Sequence, residues 1–219
     1  MISEKTVELN LTTEFMNWMW KVHGSTFTAI APSQRQEAKL GYDVSIITRG
    51  FGFFIQYKRA HLKGSEYIYE LNRTSARDQH KKLCDLESTG VPVFYAFPVF
   101  STVGEVIHYR RRLLLQTLWI PPISIPVPGG GIGHHEVHYD ASTGRYWVTS
   151  EEEIDFVPEN GGIDALSNLL EISRETNNLM EAMYSFNKIF IKSQNEESDT
   201  IEFDDSSIAG ISLMATIHE

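Results

Sequence analysis

The sequence predicts an α/β fold in which a mixed central sheet is flanked by helices. Three observations support this: apolar residues recur at helical spacing near the N-terminus, β-branched and aromatic segments follow at residues 42–48 and 53–59, and a helical segment then leads to an apolar strand at residues 91–97. Helix, strands, helix and strand in this order are typical of an α/β sheet. With 219 residues, 42 % of them hydrophobic, the chain can bury a core of ordinary size.

The first helix is predicted at residues 13–22, where four apolar side chains recur at spacings of three and four. Thr12 or Thr13 can cap its N-terminus, and Gly24 can end it. The buried stripe of this helix consists of Phe15, Trp18, Met19 and Val22.

Residues 27–59 are predicted to form the centre of the sheet. Residues 27–30 are a short strand, and Pro32 and Ser33 open a short helical turn that Gly41 stops. Residues 42–48 and 53–59 form a hairpin. Alternation along the second strand separates Phe53, Ile55 and Tyr57 from Phe54, Gln56 and Lys58.

Further elements follow toward residue 150. Residues 66–71 are a strand, and a helix capped by Thr74 or Ser75 runs to residue 88, where Gly90 ends it before the strand at 91–97. Residues 110–118 fit either helix or strand. Residues 121–133 are a loop rich in proline and glycine, and residues 135–139 and 145–149 form a hairpin.

Charge separates the C-terminal third from the rest of the chain. Residues 1–150 carry 16 Lys+Arg against 13 Asp+Glu, whereas residues 151–219 carry 3 against 16, so the net charge of -10 arises in the last third. A long helix is predicted at residues 164–191, and the composition of residues 193–219 is compatible with disorder. We therefore expect one domain at 1–192 and an acidic tail at 193–219.

The residues that carry chemistry lie on the hairpin. Asp43 opens one strand, and Gln56 and Lys58 stand two apart on the next, so that pairing brings all three together. Carboxylate and carbonyl oxygens suit Mg²⁺, and a lysine beside such a metal can orient or deprotonate water or offset charge on a phosphate. The alternative is a surface hairpin with Gln56 and Lys58 in solvent, but the apolar residues 53–55 and 57 favour a strand buried on both faces.

This cluster resembles that of the PD-(D/E)XK nuclease superfamily, the fold of many restriction endonucleases and Holliday junction resolvases. Asp43 stands at the motif's aspartate, and Gln56-Tyr57-Lys58 is similar to the Q-x-K variant of Mrr-like members. The resemblance covers about residues 12–100 and implies a restriction endonuclease-like αβββαβ core, here followed by a hairpin and a long helix. Tyr42 replaces the usual proline, and Gln56 replaces an acidic ligand.

The resemblance also implies a further glutamate from a helix upstream. Glu37, six residues before Asp43, is slightly favoured, and Glu14 on the first helix is the alternative. The implied cofactor is Mg²⁺, for which Mn²⁺ can substitute, held by Asp43, Gln56 and Glu37. The expected nucleic-acid contacts come from the basic and polar side chains that follow the motif: Arg59, His61, Lys63, Arg73, Arg77, Gln79 and His80.

The function expected from these residues is a metal-dependent endonuclease that cleaves nucleic acid, with DNA favoured, in prokaryotic defence, restriction or repair. The alternative is an inactive nuclease-fold protein that acts through protein contacts. A homodimer is expected, because cutting a duplex often needs two sites. The lone Cys84 and the lack of an N-terminal signal pattern favour the cytoplasm, and the apolar stretches are too short to span a membrane.

Two other groups compete weakly for a catalytic role. On a strand, His138 could bind a transition metal with His134 or Glu136, with His135 on the opposite face, although a solvated hairpin rim is favoured. Cys84 lies in the middle of a predicted helix and is expected to be a small buried residue, not a catalytic thiol.

Overall fold

The computed structural model of the chain describes residues 1–23, 27–48, 51–74, 77–126, 133–149 and 153–157. Within these ranges the fold is mixed α/β, with one sheet of five strands and one of six. The helices are α1 (Glu4–His23), α2 (Gln34–Leu40), α3 (Gln79–Glu87) and α4 (Val103–His108), with short 3-10 turns at Leu114–Gln116 and Pro122–Ser124. The strands are β1 (Thr28–Ile30), β2 (Val44–Thr48), β3 (Phe51–Tyr57), β4 (His61–Lys63), β5 (Glu66–Thr74), β6 (Arg77–Asp78), β7 (Val93–Pro98), β8 (Thr117–Ile120), β9 (Gly133–Asp140), β10 (Arg145–Thr149) and β11 (Glu153–Phe156).

Helix α1 begins about two turns before the predicted start. The side chain of Ser3 accepts the backbone N–H of Thr6 at 3.1 Å, so Ser3 caps the helix where Thr12 or Thr13 was expected. The reason is that the apolar spacing of four extends backward from Phe15 through Leu11 and Val7, and both side chains are fully buried. Tertiary packing therefore favours one long helix, which brings its acidic first turns toward the sheet.

Helix α2 follows the sequence closely. Ser33 and Gln36 form a reciprocal capping box, and Gly41 ends the helix in the left-handed conformation at φ 86°. The backbone N–H of Gly41 donates to the carbonyl of Glu37. The predicted end of the helix at Gly41 is confirmed, and Tyr42 and Asp43 follow this turn directly.

The five-stranded sheet has the order β1-β2-β3-β7-β8. Strand β2 is antiparallel to both of its neighbours, β1 and β3, β7 is parallel to β3, and β8 is antiparallel to β7. The predicted alternation on β3 is confirmed: Phe53, Ile55 and Tyr57 pack in the cluster that contains α1, and Phe54 packs in the cluster with Tyr95 and Leu83. Strand β3 is thus apolar on both faces because both faces are covered.

The six-stranded sheet contains β11, β10, β9, β5 and β4 in that order, with β6 paired to β5. It includes the predicted hairpin of β9 and β10, in which Tyr146 lies opposite Tyr139. Its apolar face contributes Tyr69, Leu71, Val137 and Val148 to the core shared with α3 and β7. The two sheets therefore meet through one of the two hydrophobic clusters.

Several predicted boundaries are wrong for local reasons. Strand β5 continues to Thr74, because Arg73 pairs with Asp78, so α3 is capped by Asp78 and not by Thr74 or Ser75. Residues 110–118 are neither all helix nor all strand, since they contain the turn Leu114–Gln116 and the start of β8. The predicted helix at 164–191 and the tail at 193–219 lie outside the described residues. Among the described helices, none has the length and apolar content that a bilayer span requires.

Candidate active site

The carboxylate of Asp43 is held at the open end of the β2–β3 hairpin. Its backbone N–H donates to the carbonyl of Ile55 at 3.0 Å, which fixes the residue in register with β3. Its Oδ2 accepts two hydrogen bonds of 2.7 Å, one from Gln56 Nε2 and one from the backbone N–H of Tyr57. The hairpin therefore brings Asp43 and Gln56 into direct contact.

The side chain of Gln56 is buried, with 2 % of the residue exposed. Its Nε2 also donates to the carbonyl of Tyr57 at 3.1 Å, which fixes the orientation of the amide. Its Oε1 is buried and has no hydrogen-bond partner among the described residues. A buried acceptor without a partner is costly, and within a cluster of charges it marks a place where a donor or a cation can bind.

The ammonium group of Lys58 is also buried, and 4 % of the residue is exposed. Its backbone N–H donates to Ala96 on β7, and its Nζ donates to Gln79 Oε1 at 2.8 Å. Burial lowers the pKa of Lys58, while the charges of Glu4, Asp43, Glu37 and Glu70 act in the opposite direction. A surface hairpin with Gln56 and Lys58 in solvent is thereby excluded.

The carboxylates of the cluster are less acidic than ordinary ones. Burial raises the pKa of Asp43 to about 7, against the N–H of Tyr57, and the charge of Glu4 raises it further. Lys58 lowers this pKa and Glu37 raises it, both by smaller amounts. Burial likewise raises the pKa of Glu37. The site therefore concentrates negative charge that a bound cation would stabilise.

A cavity of about 220 Å³ opens beside Lys58, and its lining does not include Asp43, Gln56 or Glu37. It is lined by Ser3, Glu4, Lys58, Arg59, His61 and Glu70. The cavity has basic groups from the end of β3 and from β4, and acidic groups from α1 and β5. It is the space next to Lys58 into which a substrate could enter.

The structure separates the two candidate glutamates. Glu37 lies close enough to interact electrostatically with Asp43 and Lys58. The carboxylate of Glu14 instead accepts the backbone N–H groups of Leu113 and Leu114 at 3.1 and 3.3 Å. Glu14 thus caps the turn Leu114–Gln116 and does not join the cluster, which corrects its candidacy as a site residue.

The first turns of α1 supply acidic groups that the sequence did not point to. The charge of Glu4 raises the pKa values of Asp43, Glu37 and Lys58, and the charge of Glu8 raises those of Glu37 and Tyr57. The signal was the spacing of Val7, Leu11 and Phe15, which extends the helix back to Glu4. Glu70 on β5 carried no comparable signal, because its place depends on how the second sheet meets the first.

The expected nucleic-acid contacts are only partly brought together. Arg59 and His61 line the cavity, and Gln79 contacts Lys58. Lys63 is exposed on β4 opposite Glu66, farther along the second sheet. His80 is buried and stacked on Tyr95, so it cannot reach a phosphate as expected. The side chains of Arg73 and Arg77 lie outside the described part of the structure.

His138 on β9 takes part in a network in which both of its ring nitrogens have partners. His138 Nδ1 lies 2.5 Å from Glu66 Oε1, and its Nε2 lies 2.7 Å from Thr149 Oγ1 and 3.5 Å from Glu136 Oε2. The ring stacks on Trp147 at 5.0 Å. Both nitrogens are occupied, so neither is presented to a metal, and the side chain of His134 is not among those described.

Cys84 has a histidine neighbour that the sequence did not show. Its Sγ lies 3.6 Å from His80 Nε2 on the preceding turn of α3, and His80 Nδ1 lies 3.3 Å from the hydroxyl of Tyr95. The cysteine is half-buried. The contact arises from the helical spacing of four, and nothing else at this position resembles a thiol active site.

Comparison with known proteins gives no family: neither the protein-family models nor the curated proteins match this chain. In the described part of the chain, no three His, Cys, Asp or Glu side chains are grouped as ligands for a metal. A cation site here would have to include the amide oxygen of Gln56. Function must therefore be inferred from the site itself.

Proposed function

We propose that the chain is a Mg²⁺-dependent endonuclease that hydrolyses phosphodiester bonds, with DNA as the favoured substrate. The observation that carries the proposal is the contact of Asp43 with Gln56 beside the buried ammonium of Lys58, where Gln56 Oε1 is buried and has no partner among the described residues. The fold is compatible with it, because the antiparallel hairpin of β2 and β3 lies between α1 and α3, and α3 leads to β7, which is parallel to β3. Helix α2 and strands β4 to β6 are additions to the order that the nuclease resemblance implies.

The donor atoms fit a hard divalent cation. Asp43 provides a carboxylate, Gln56 provides an amide oxygen that accepts no hydrogen bond within the described part of the chain, and Glu37 is the acidic neighbour that could complete the set. Mg²⁺ prefers oxygen ligands, keeps several waters and needs only one or two carboxylates when phosphate is also present. When bound, it would polarise the phosphate and lower the pKa of a bound water.

The residues of the chain have separate tasks in this proposal. The carboxylate of Asp43 is oriented by the two bonds to its Oδ2, so its geometry is set before any substrate arrives. The ammonium of Lys58 stabilises negative charge that develops on the phosphate, and it can donate to or orient the attacking water. Arg59 and His61, on the wall of the cavity, are placed to hold neighbouring phosphates.

A second candidate is a nuclease-fold protein without catalytic activity that acts through protein contacts. Two observations favour it: an amide stands at Gln56 in place of an acid, and residues 151–219 carry 16 acidic side chains against 3 basic ones. An acidic surface repels nucleic acid and attracts basic partners. Metal-dependent cleavage separates the two candidates.

The direct test incubates the protein with supercoiled plasmid, branched DNA, single-stranded DNA and RNA, in Mg²⁺, Mn²⁺ or EDTA. We expect cleavage with either metal and none in EDTA. Asp43→Ala and Lys58→Met should abolish it, whereas Lys81→Met, an exposed position on α3, serves as the matched control. No cleavage of any substrate, with no heat of Mg²⁺ or Mn²⁺ binding in calorimetry, would leave the non-catalytic candidate.

The biological setting and assembly extend the same proposal. A role in prokaryotic defence, restriction or repair follows from the resemblance to PD-(D/E)XK nucleases, a homodimer from the need to cut both strands of a duplex, and a cytoplasmic location from the lone Cys84. A homodimer would place two sites on one duplex. Light scattering with and without DNA tests the dimer, and a monomeric mass under both conditions would reject it.

A further inference from the structure

The buried ammonium of Lys58 has a neutral hydrogen-bond partner in a site dominated by carboxylates. Four carboxylates raise the pKa of Lys58 through their charges: Glu4, Asp43, Glu37 and Glu70. In the described part of the chain, none of them forms a salt bridge with Nζ. The direct contact is Gln79 Oε1 at 2.8 Å. A neutral acceptor fixes the direction of the ammonium without neutralising its charge.

Gln79 is itself fixed by the packing of two helices. It is the first residue of α3, which is capped where Asp78 Oδ1 accepts the N–H of Lys81 at 3.0 Å. Lys82 donates to the carbonyl of Ala38, which joins α3 to α2. A Cβ added at Gly41 would lie 3.2 Å from the carbonyl oxygen of Gln79. The turn that leads to Asp43 is therefore packed against the residue that contacts Lys58.

We propose that Gln79 is a positioning residue, which holds the Lys58 ammonium in place within the Asp43 site by accepting one of its N–H groups. The proposal deepens the nuclease function and rests on it. It also replaces the role expected from sequence, in which Gln79 contacts nucleic acid. Since Oε1 is occupied by Lys58, the effect of Gln79 on the reaction passes through that lysine.

The two roles differ in what they change. A residue that contacts substrate alters KM and leaves the position of the Lys58 side chain as it was. A residue that positions Lys58 alters kcat, because the ammonium without its acceptor leaves the place from which it acts on the phosphate. The position of Nζ can be observed without substrate, so it is independent of nuclease activity.

The experiment compares crystal structures of the wild type, Gln79→Met and Gln79→Glu. Gln79→Met removes the acceptor at nearly constant shape, and Lys58 Nζ should move by about 1 Å or more or adopt several conformers. Gln79→Glu keeps an acceptor at the same place and should hold Nζ within hydrogen-bond distance of residue 79. Asp85→Asn is the control: it removes the acceptor of Lys81 on the same helix and should leave Lys58 unmoved.

Cleavage assays form the second part. Gln79→Met should lower kcat by about 10- to 100-fold with KM within about twofold, and Gln79→Glu should retain most of the wild-type kcat. A Lys58 Nζ that stays in place in Gln79→Met would overturn the proposal, as would a higher KM at constant kcat. If Gln79→Met does not fold, as judged by its amide spectrum, Gln79→Ala takes its place in both measurements.

Failure of the two proposals gives different results. Wild-type protein that cleaves nothing, while Lys58 moves in Gln79→Met and not in Gln79→Glu, rejects the nuclease function and supports the contact. Wild-type protein that cleaves DNA while Lys58 stays in place in Gln79→Met retains the nuclease function and rejects the role of Gln79.

Discussion

Two groups of buried ionisable side chains, one in each sheet, have very different surroundings. In the second sheet, each nitrogen of His138 has a partner, and Trp147 covers the ring. In the first sheet, Asp43 and Lys58 stand beside Gln56, whose Oε1 has no partner among the described residues, and the charges of Glu4 and Glu37 add to that of Asp43.

The difference shows how to recognise a functional cluster when no relative identifies it. A network whose donors and acceptors are all paired stabilises the fold, whereas a buried acceptor without a partner and crowded carboxylates cost stability. Folds retain such costs mainly at sites of chemistry. We therefore propose a structural role for the His138 network and a functional role for the Asp43 cluster.

The largest expected effect is the loss of cleavage at the Asp43 cluster. Asp43→Ala and Lys58→Met should each lower the rate of plasmid cleavage by about 1000-fold, because the first removes a charged oxygen ligand and the second removes the buried cation. Initial rates in Mn²⁺ measure this. If both variants cleave as fast as wild type, the cluster is not the active site.

Replacing His138 should lower the stability of the protein and leave cleavage by the folded protein intact, the reverse of what we expect at Asp43 and Lys58. His138→Ala should lower the free energy of unfolding by about 3 kcal/mol, because Glu66 and Thr149 lose their partner inside the sheet. Urea denaturation measures this, and Arg145→Ala, which breaks exposed ion pairs on the same sheet, should lower the free energy of unfolding far less, because solvent screens these pairs. A stable His138→Ala protein that cannot cleave would contradict the structural role.

Asp43→Asn should stabilise the protein above neutral pH. Folding raises the pKa of Asp43 from 3.8 to about 7. Between these two pH values the folded protein therefore binds more protons than the unfolded chain, and its stability falls as the pH rises. The free energy of unfolding of the variant should exceed that of the wild type by about 2 kcal/mol at pH 8 and should equal it at pH 4. Urea titrations in EDTA at both pH values measure the difference.

The effect of Mg²⁺ on the stability of the same variant, Asp43→Asn, provides a control. Mg²⁺ should stabilise the wild type and leave Asp43→Asn almost unchanged, since a ligand stabilises only the state that binds it. Equal stabilisation of both proteins by Mg²⁺ would show that the cation binds elsewhere.

The smallest effect concerns the glutamate that the structure places away from the cluster. Glu14→Gln weakens two bonds to backbone N–H groups at Leu113 and Leu114 and should cost about 1 kcal/mol of stability. Cleavage per folded molecule should stay within about twofold of wild type. A loss of cleavage comparable to that of Lys58→Met would restore Glu14 as a site residue.

Local patterns predicted the hairpin that carries the site. Ser33 and Gly41 bound α2 as expected, because capping and the left-handed C-cap are properties of a few neighbouring residues. The alternation on β3 also holds, and pairing of β2 with β3 then brings Asp43 to Gln56 without further assumptions. The contact of these two residues was therefore predictable from sequence.

The remaining parts of the site depend on tertiary contacts. Glu4 reaches the cluster through the length of α1, which the spacing of Val7, Leu11 and Phe15 indicates, whereas Glu70 reaches it through the placement of β5 and has no local signal. His80 stood at a suitable position on α3, but its side chain packs on Tyr95 inside the core. The start of α3 moved because β5 and β6 pair, which is a non-local preference that single-residue propensities do not contain.

The measurement that tests the central claim most directly is a crystal of the protein soaked in Mn²⁺ and examined for anomalous scattering. The account predicts a peak at about 2 Å from an Asp43 carboxylate oxygen and from Gln56 Oε1, and its loss in Asp43→Asn. Manganese found only at other surface carboxylates, with Gln56 Oε1 still unpartnered, would contradict it.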